Sequence, residues 1–260
     1  MERITDTRSS GINRNALRTW ALLLALSGMV GRGLIQNHLL GVGAATSEQL
    51  LSMMNASSQN MILVTVSLVC QLTETMAVPL FALLLAEGVE HTSDLKKYAL
   101  RVTACALATE IPYNLLIHGN PVAMAGQNPA LGMVLGLVVL VFFKMYAGSG
   151  VKNFFVKLLV VVMGILWARM LRIDMGECIV LMVWPMYALR NKTMYRNLVA
   201  VCMAMVCAMF SVFFVAAPFA CLFLHFYNGE KGEAEPPRAV VYLAYPVLVL
   251  ALALAGMFLM

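Results

Sequence analysis

Long apolar runs, separated by short polar hinges, organise this chain from about residue 16 to its end. A helix needs about 20 predominantly apolar residues to cross the hydrocarbon core of a bilayer. On that measure, the runs at roughly 16–40, 61–89, 97–118, 128–147, 153–170, 176–189, 196–226 and 239–259 predict eight transmembrane helices. The run 196–226 is long for one crossing and contains Pro218. Proline removes a backbone donor and clashes with the preceding turn, so this run is either a tilted, kinked helix or a tight hairpin. The predicted fold class is all-α: one polytopic transmembrane helix bundle over 16–260, behind a basic tail at 1–15. The first run reads as a retained span rather than a removable signal peptide. No internal repeat is visible.

Composition agrees with that pattern. Hydrophobic residues make up 61% of the chain and charged residues 12%, against roughly half and a quarter in soluble domains. The net charge of +5 does not point to nucleic acid, because the basic residues sit at the ends of apolar runs, where they set orientation. Under strict alternation, thirteen lysines and arginines fall on one side of the membrane (3–18, 96–101, 144–157 and 190–196). Four fall on the other: Arg169, Arg172, Lys231 and Arg238. The positive-inside rule then places both termini in the cytoplasm. A hairpin at 196–226 would move the 228–238 loop to the cytoplasm as well. The six cysteines lie in or beside apolar runs with no Cys-x-x-Cys spacing, which suggests small buried hydrophobes rather than a zinc or redox site. The twenty methionines read as flexible filler, and no metal site is expected.

Carboxylates inside apolar spans are the main chemical candidates, since a charge in the bilayer faces a protein interior, a cavity or a partner. Glu87 and His91 are four apart and share a helix face if the helix runs through the hinge. A carboxylate beside an imidazole suits general acid/base work, and a helix-end ion pair is the plainer alternative. Thr92 or Ser93 is the expected cap of the next helix, with Asp94 adding favourable charge. Glu110 and Asn114 share a face around Pro112, which frees the Ala108 carbonyl, so this end of the third span is a candidate cavity wall. Gln127 and Asn128 open the fourth span on the same side, where interfacial capping is the plainer role. Arg32 and Glu74 both fall in the outer half of antiparallel spans, and the expectation is an ion pair between them.

The run VPLFALLLAEGVEHT, then KKYALR, ATEIPYN and QNPALGMVLGL, resembles the TraX family of inner-membrane proteins. Asp174-Met175-Gly176 is similar to the family's Asp-Tyr-Gly. The run Tyr227 to Gly232 is similar to its Tyr-Asn-Gly-x-x-Gly, and Tyr245-Pro246 to its closing Tyr-Pro. The resemblance covers about residues 20–255. It implies a multi-pass inner-membrane acetyltransferase that uses acetyl-CoA, with a pilin N-terminus or another membrane-embedded amine as acceptor and lipid as surroundings. It places Glu87, His91, Arg101, Glu110, Asn128, Asp174 and Asn228 around the site, with Asn114 beside them. Lys96, Lys97 and Arg101 would form a basic mouth for the donor. His91, Glu87 and Glu110 are the candidates to supply the base.

The chain also departs from the family pattern. Gly31-Arg32 stands where the family has Asp-His, Glu74-Thr75 where it has Gly-Arg, and Leu248 where it has a histidine. The first two changes together resemble an ion pair with its partners exchanged. The missing histidines give a second reading, a catalytically silent TraX-like membrane scaffold or partner-binding protein. A transporter or channel ranks below both, because the acids form no continuous track.

Overall fold

A computed structural model describes residues 11–43, 46–148, 150–232 and 236–259. Arg3 and Arg8 of the basic tail lie outside them. Among the described residues the chain is all helical, as the apolar runs predict, with two isolated bridges and no strand. Polar caps set the boundaries. Asn13 accepts from the Ala16 amide at 2.9 Å and starts α1 (Arg14–Met29), which continues as a π-helical segment, Val30–Leu39. Then follow α2 (Ser47–Ala56), α3 (Ser58–Thr75), α4 (Ala77–His91) and α5 (Leu95–His118). Asp94, rather than Thr92 or Ser93, caps α5: its side chain accepts from the Lys97 amide at 3.0 Å, while Thr92 ends α4. Asn128 caps α6 (Pro129–Met145), whose first residue is the proline favoured there. The rest are α7 (Val151–Met170), α8 (Gly176–Ala188), α9 (Thr193–Cys207), a 3-10 helix (Val212–Phe219), α10 (Ala220–Phe226) and α11 (Arg238–Leu259).

Four helices are long and apolar enough to cross a membrane: Arg14–Leu39, Ser58–His91, Val151–Met170 and Arg238–Leu259. The other predicted spans are helices at the expected places, but shorter or more polar, so a count of eight crossings is not established by length and composition. The 24-residue α5 is interrupted by Arg101, Glu110 and Asn114. The expected loop at 41–60 contains α2, capped by a reciprocal Thr46–Gln49 pair.

The run 196–226 is a hairpin. Cys221 of α10 donates to the Asn197 carbonyl at the start of α9, so the 3-10 helix and α10 return along α9. The break comes at 208–211, ahead of Pro218, which sits inside the 3-10 helix. This changes the topology. The chain at 226–230 pairs with Ile12 and Arg14, at one end of the bundle. The α11 residue Gly256 packs against His38, at the other end of the first helix. The two ends of the described chain therefore lie at opposite ends of the bundle. Both termini on one side is the expectation this overturns, because the hairpin adds one reversal that strict alternation over eight spans leaves out.

Helices in lipid gain little from hydrophobic association, so close packing and hydrogen bonds hold them together. The larger core joins α1, α4, α6, α8 and the α9 hairpin through Leu17, Leu80, Leu83, Leu140, Met182 and Met186. Gly132 and Gly136 let α6 sit directly on Ile179 and Val183 of α8. A second core joins the end of α1, α5 and α11 through Met29, Tyr113, Leu116 and Val249, with Leu34 of the π segment packed against it. Outward faces are apolar, as lipid requires: Phe154, Phe155, Leu158, Leu159 and Leu166 of α7 are all exposed. Cys178 and Cys207 are buried, as expected of small hydrophobes, whereas Cys202 is exposed.

Candidate functional site

Apart from Lys96, Lys97 and Arg101, the predicted site residues fall into three groups, of which the second and third adjoin through Gln127 and Asn128. The first lies at the Arg14 end. Glu87, one turn before the end of α4, accepts from Arg14 Nε at 3.1 Å and from the Tyr227 hydroxyl at 2.7 Å. Burial and the Glu87 carboxylate push the Tyr227 phenol up to about 12, so it remains a donor throughout the ordinary pH range. His91 does share the Glu87 face, but its contact is with the backbone: Nδ1 lies 2.9 Å from the Glu87 carbonyl oxygen. The expected carboxylate–imidazole pair is absent because Arg14 and Tyr227, remote in sequence, take the carboxylate. Leu83, Ala86, Glu87, Glu90, His91, Arg190, Asn191 and Arg196 line a pocket of about 300 Å³. Glu90 pairs with Arg190 at 3.4 Å. Asn228 stands beside this group without lining the pocket. Its side chain closes a turn onto the Glu230 amide at 2.9 Å, and its own amide reaches the Ile12 carbonyl.

The basic mouth predicted at 96–101 is not part of the pocket lining. Lys97 pairs with Asp94 at 3.2 Å and is exposed, as is Lys96. Hydrogen bonds from the α5 backbone hold the Asp94 carboxyl below its ordinary range. Arg101 lies over the Tyr242 ring of α11.

The second group surrounds Glu110. Asn114 donates to one carboxylate oxygen at 3.2 Å, and the Asn128 amide and side chain donate to the other. Asn128, fully buried, also donates to the Ala106 carbonyl and caps α6. Glu110 thus sits at the positive end of α6 and fastens α5 to it, a favourable place for a carboxylate. No described residue bonds both Glu87 and Glu110, and Glu110 is not among the residues lining the His91 pocket. Glu87 and Glu110 therefore do not share the His91 pocket. Glu87 is one turn from the end of α4, whereas Glu110 is more than four turns into α5.

The third group is the expected ion pair, enlarged. Arg32 Nη2 donates to both Glu74 oxygens at 2.8 Å, while Nη1 donates to Asp174 in the α7–α8 turn. The Tyr113 hydroxyl adds a bond to Asp174 at 3.3 Å. Backbone bonds between Gln127 and residues 172 and 174 hold that turn in place. A side chain at Gly28 would run into the Glu74 carboxylate, so this glycine leaves room for it. Arg32 lies in the π segment, a helix form that recurs at functional sites. Asp174 also borders a second pocket, of about 360 Å³, with Arg169, Glu177 and Ser211. This pocket is at the end opposite Arg14, beside the tip of the hairpin.

Local spacing missed Arg14 and Tyr227 as partners of Glu87, Glu90, Arg190 and Arg196 as companions of His91 in the pocket lining, and Tyr113 as a neighbour of Asp174. The Tyr227 motif was visible as a family block, but its contact with Glu87 spans 140 residues. Comparison with known proteins gives a family and no closer relative. No curated protein and no solved structure shows significant similarity to this chain. The family model described as TraX protein matches residues 47–255. That stretch runs from α2 into the last turns of α11 and includes Glu74, Glu87, His91, Glu110 and Asp174, and the chain belongs to the TraX family.

Proposed function

We propose that this chain is a membrane-embedded acetyltransferase that moves acetyl from acetyl-CoA to an amine presented at the membrane, such as a pilin N-terminus. The observation that carries the reading is the setting of His91. A backbone carbonyl can only accept, so the bond to Glu87 fixes the imidazole proton on Nδ1 and leaves the lone pair on Nε2. That nitrogen belongs to an exposed side chain in an open polar pocket. Acyl transfer from a thioester forms a C–N bond and breaks a C–S bond, and the amine proton must pass to a base. His91 Nε2 takes that proton and can return it to the departing sulfur. Glu87 is a positioning residue here: Arg14 and Tyr227 pin its side chain, and its carbonyl sets the histidine tautomer. Glu110 holds α5 to α6 and takes no part in proton transfer. A pocket of about 300 Å³ is at the small end of ligand clefts. It suits part of a large carrier molecule.

Charge supports the orientation. With the hairpin counted, the Arg14 end carries thirteen lysines and arginines among the described residues, and the opposite end carries Arg169 and Arg172, with Arg32 paired inside the bundle. The positive-inside rule then puts the His91 pocket in the cytoplasm of an inner-membrane protein, with the end of α11 on the outer side.

The test is transfer of labelled acetyl from acetyl-CoA to an amine peptide by the purified protein. His91→Ala is expected to lower the rate about 10²- to 10⁴-fold without unfolding the protein. No transfer by well-folded wild type, or an unaffected His91→Ala, overturns the proposal. One observation favours a silent scaffold as the second reading. The span-one position where the family resemblance expects Asp-His carries Arg32, locked between two carboxylates.

A further inference from the structure

We propose that the pocket at the Arg14 end binds a phosphate-bearing anion, a phosphate monoester or diphosphate, through Arg196. Arg196 is only 4% exposed, yet it lines the pocket. Its Nε donates to Asn197 at 3.3 Å, and its Nη2 is buried with no partner. A buried guanidinium with an unfilled donor is expensive, and a ligand that accepts from that donor offsets the cost. Both carboxylates in the pocket are already engaged, Glu87 by Arg14 and Tyr227 and Glu90 by Arg190. Two acids therefore face three arginines, which leaves one surplus positive charge among them and the Arg196 Nη2 donor unfilled. A guanidinium offers a planar fork of donors that matches phosphate oxygens. The pocket has room for more than one phosphate group, and Arg190 stands at its rim. The site stands on this geometry alone. It rests on the acetyltransferase reading only in the identification of its occupant as the diphosphate of the acetyl carrier. Free phosphate and an anionic lipid headgroup share the same chemistry.

The experiment uses the full chain in nanodiscs of phosphatidylcholine and follows thermal unfolding during titration with inorganic pyrophosphate. Wild type is expected to gain stability in a saturable way. Arg196→Gln is expected to bind about 10- to 100-fold more weakly. Without pyrophosphate, Arg196→Gln should unfold no earlier than wild type, since it removes an unmatched buried charge. If that variant does not fold, Arg196→Lys keeps the charge, loses the fork and is expected to show a reduced but present shift. Repeating the titration with phosphatidylglycerol in the disc separates the sources. A diminished pyrophosphate response assigns the site to a lipid headgroup, and an unchanged one assigns it to a soluble phosphate. The same stabilisation in wild type and Arg196→Gln, or none in wild type, overturns the proposal. The readout needs no acetyl donor, so failure of transfer chemistry leaves it intact. A protein that transfers acetyl but ignores pyrophosphate overturns this inference alone.

Discussion

Removing Glu74 tests how the bundle carries charge within the membrane. Arg32 donates to both Glu74 oxygens, and their side chains are 19% and 4% exposed. Breaking a buried pair by deleting one partner costs about 3–5 kcal/mol, mostly because the other charge is stranded. Arg32 also bonds Asp174, so Glu74→Ala leaves it half-satisfied and should cost about 3 kcal/mol, the lower end of that range. Arg32→Ala strands two facing carboxylates and should cost about 5 kcal/mol, the upper end. In the double variant neither partner of the pair is stranded, and Asp174, at 23% side-chain exposure, can hydrate. The double loss should therefore fall short of the sum by about 2–3 kcal/mol. Unfolding in detergent can be followed with a thiol-reactive dye, because Cys178 and Cys207 are buried and react only when the core opens. Exposed Cys202 sets the starting signal. Losses that add to within about 0.5 kcal/mol would show that Arg32 and Glu74 are not coupled, and would refute the reasoning.

Three further outcomes follow from particular contacts. Tyr227→Phe removes a hydrogen bond to a charged carboxylate and should cost about 1.5–3 kcal/mol in the same unfolding assay. The phenol's pKa is raised in the fold, so its contribution is fully present below the unfolded value near 10 and is lost as pH rises through about 12. The ultraviolet titration of wild type minus Tyr227→Phe should show one phenol ionising at the upper end of that window. Gly28→Ala drives a methyl group into the Glu74 carboxylate, and its unfolding midpoint should fall by the equivalent of about 1–3 kcal/mol. Lys231→Cys and Leu259→Cys should react with a membrane-impermeant maleimide from opposite sides of the membrane, and labelling from one side would contradict the hairpin.

Much of the helical framework was legible because lipid imposes a coarse rule on every crossing. Apart from 196–226, the runs from 16–40 to 239–259 are helical within a few residues of their expected limits. Capping was legible in part: Asn128 caps α6 as expected, but Asp94 takes the α5 cap from Thr92 and Ser93, and the Thr46–Gln49 pair that starts α2 could have been read from its spacing. Pro218 flagged trouble in 196–226 but not its form. The turn forms at 208–211, and only the return of Cys221 to Asn197 shows a hairpin. Arg32–Glu74 could be anticipated because two charges in the bilayer must find each other. Asp174 could not be seen as their third member, since it sits in a polar turn where a carboxylate costs nothing by itself. Glu87 and Glu110 looked equivalent in the sequence, and their partners separate them. Arg14 and Tyr227 reach one acid across the fold, and a helix start reaches the other.

The most direct measurement of the central claim, that the His91 pocket receives the acetyl carrier, is site-specific protection. Asn191→Cys places a thiol on the pocket wall, and Ser211→Cys places one in the pocket at the other end. Maleimide labelling at each position is read by mass spectrometry with and without acetyl-CoA. The account predicts slower labelling at 191 and no change at 211. Unprotected labelling at 191, or protection at 211 instead, would contradict it.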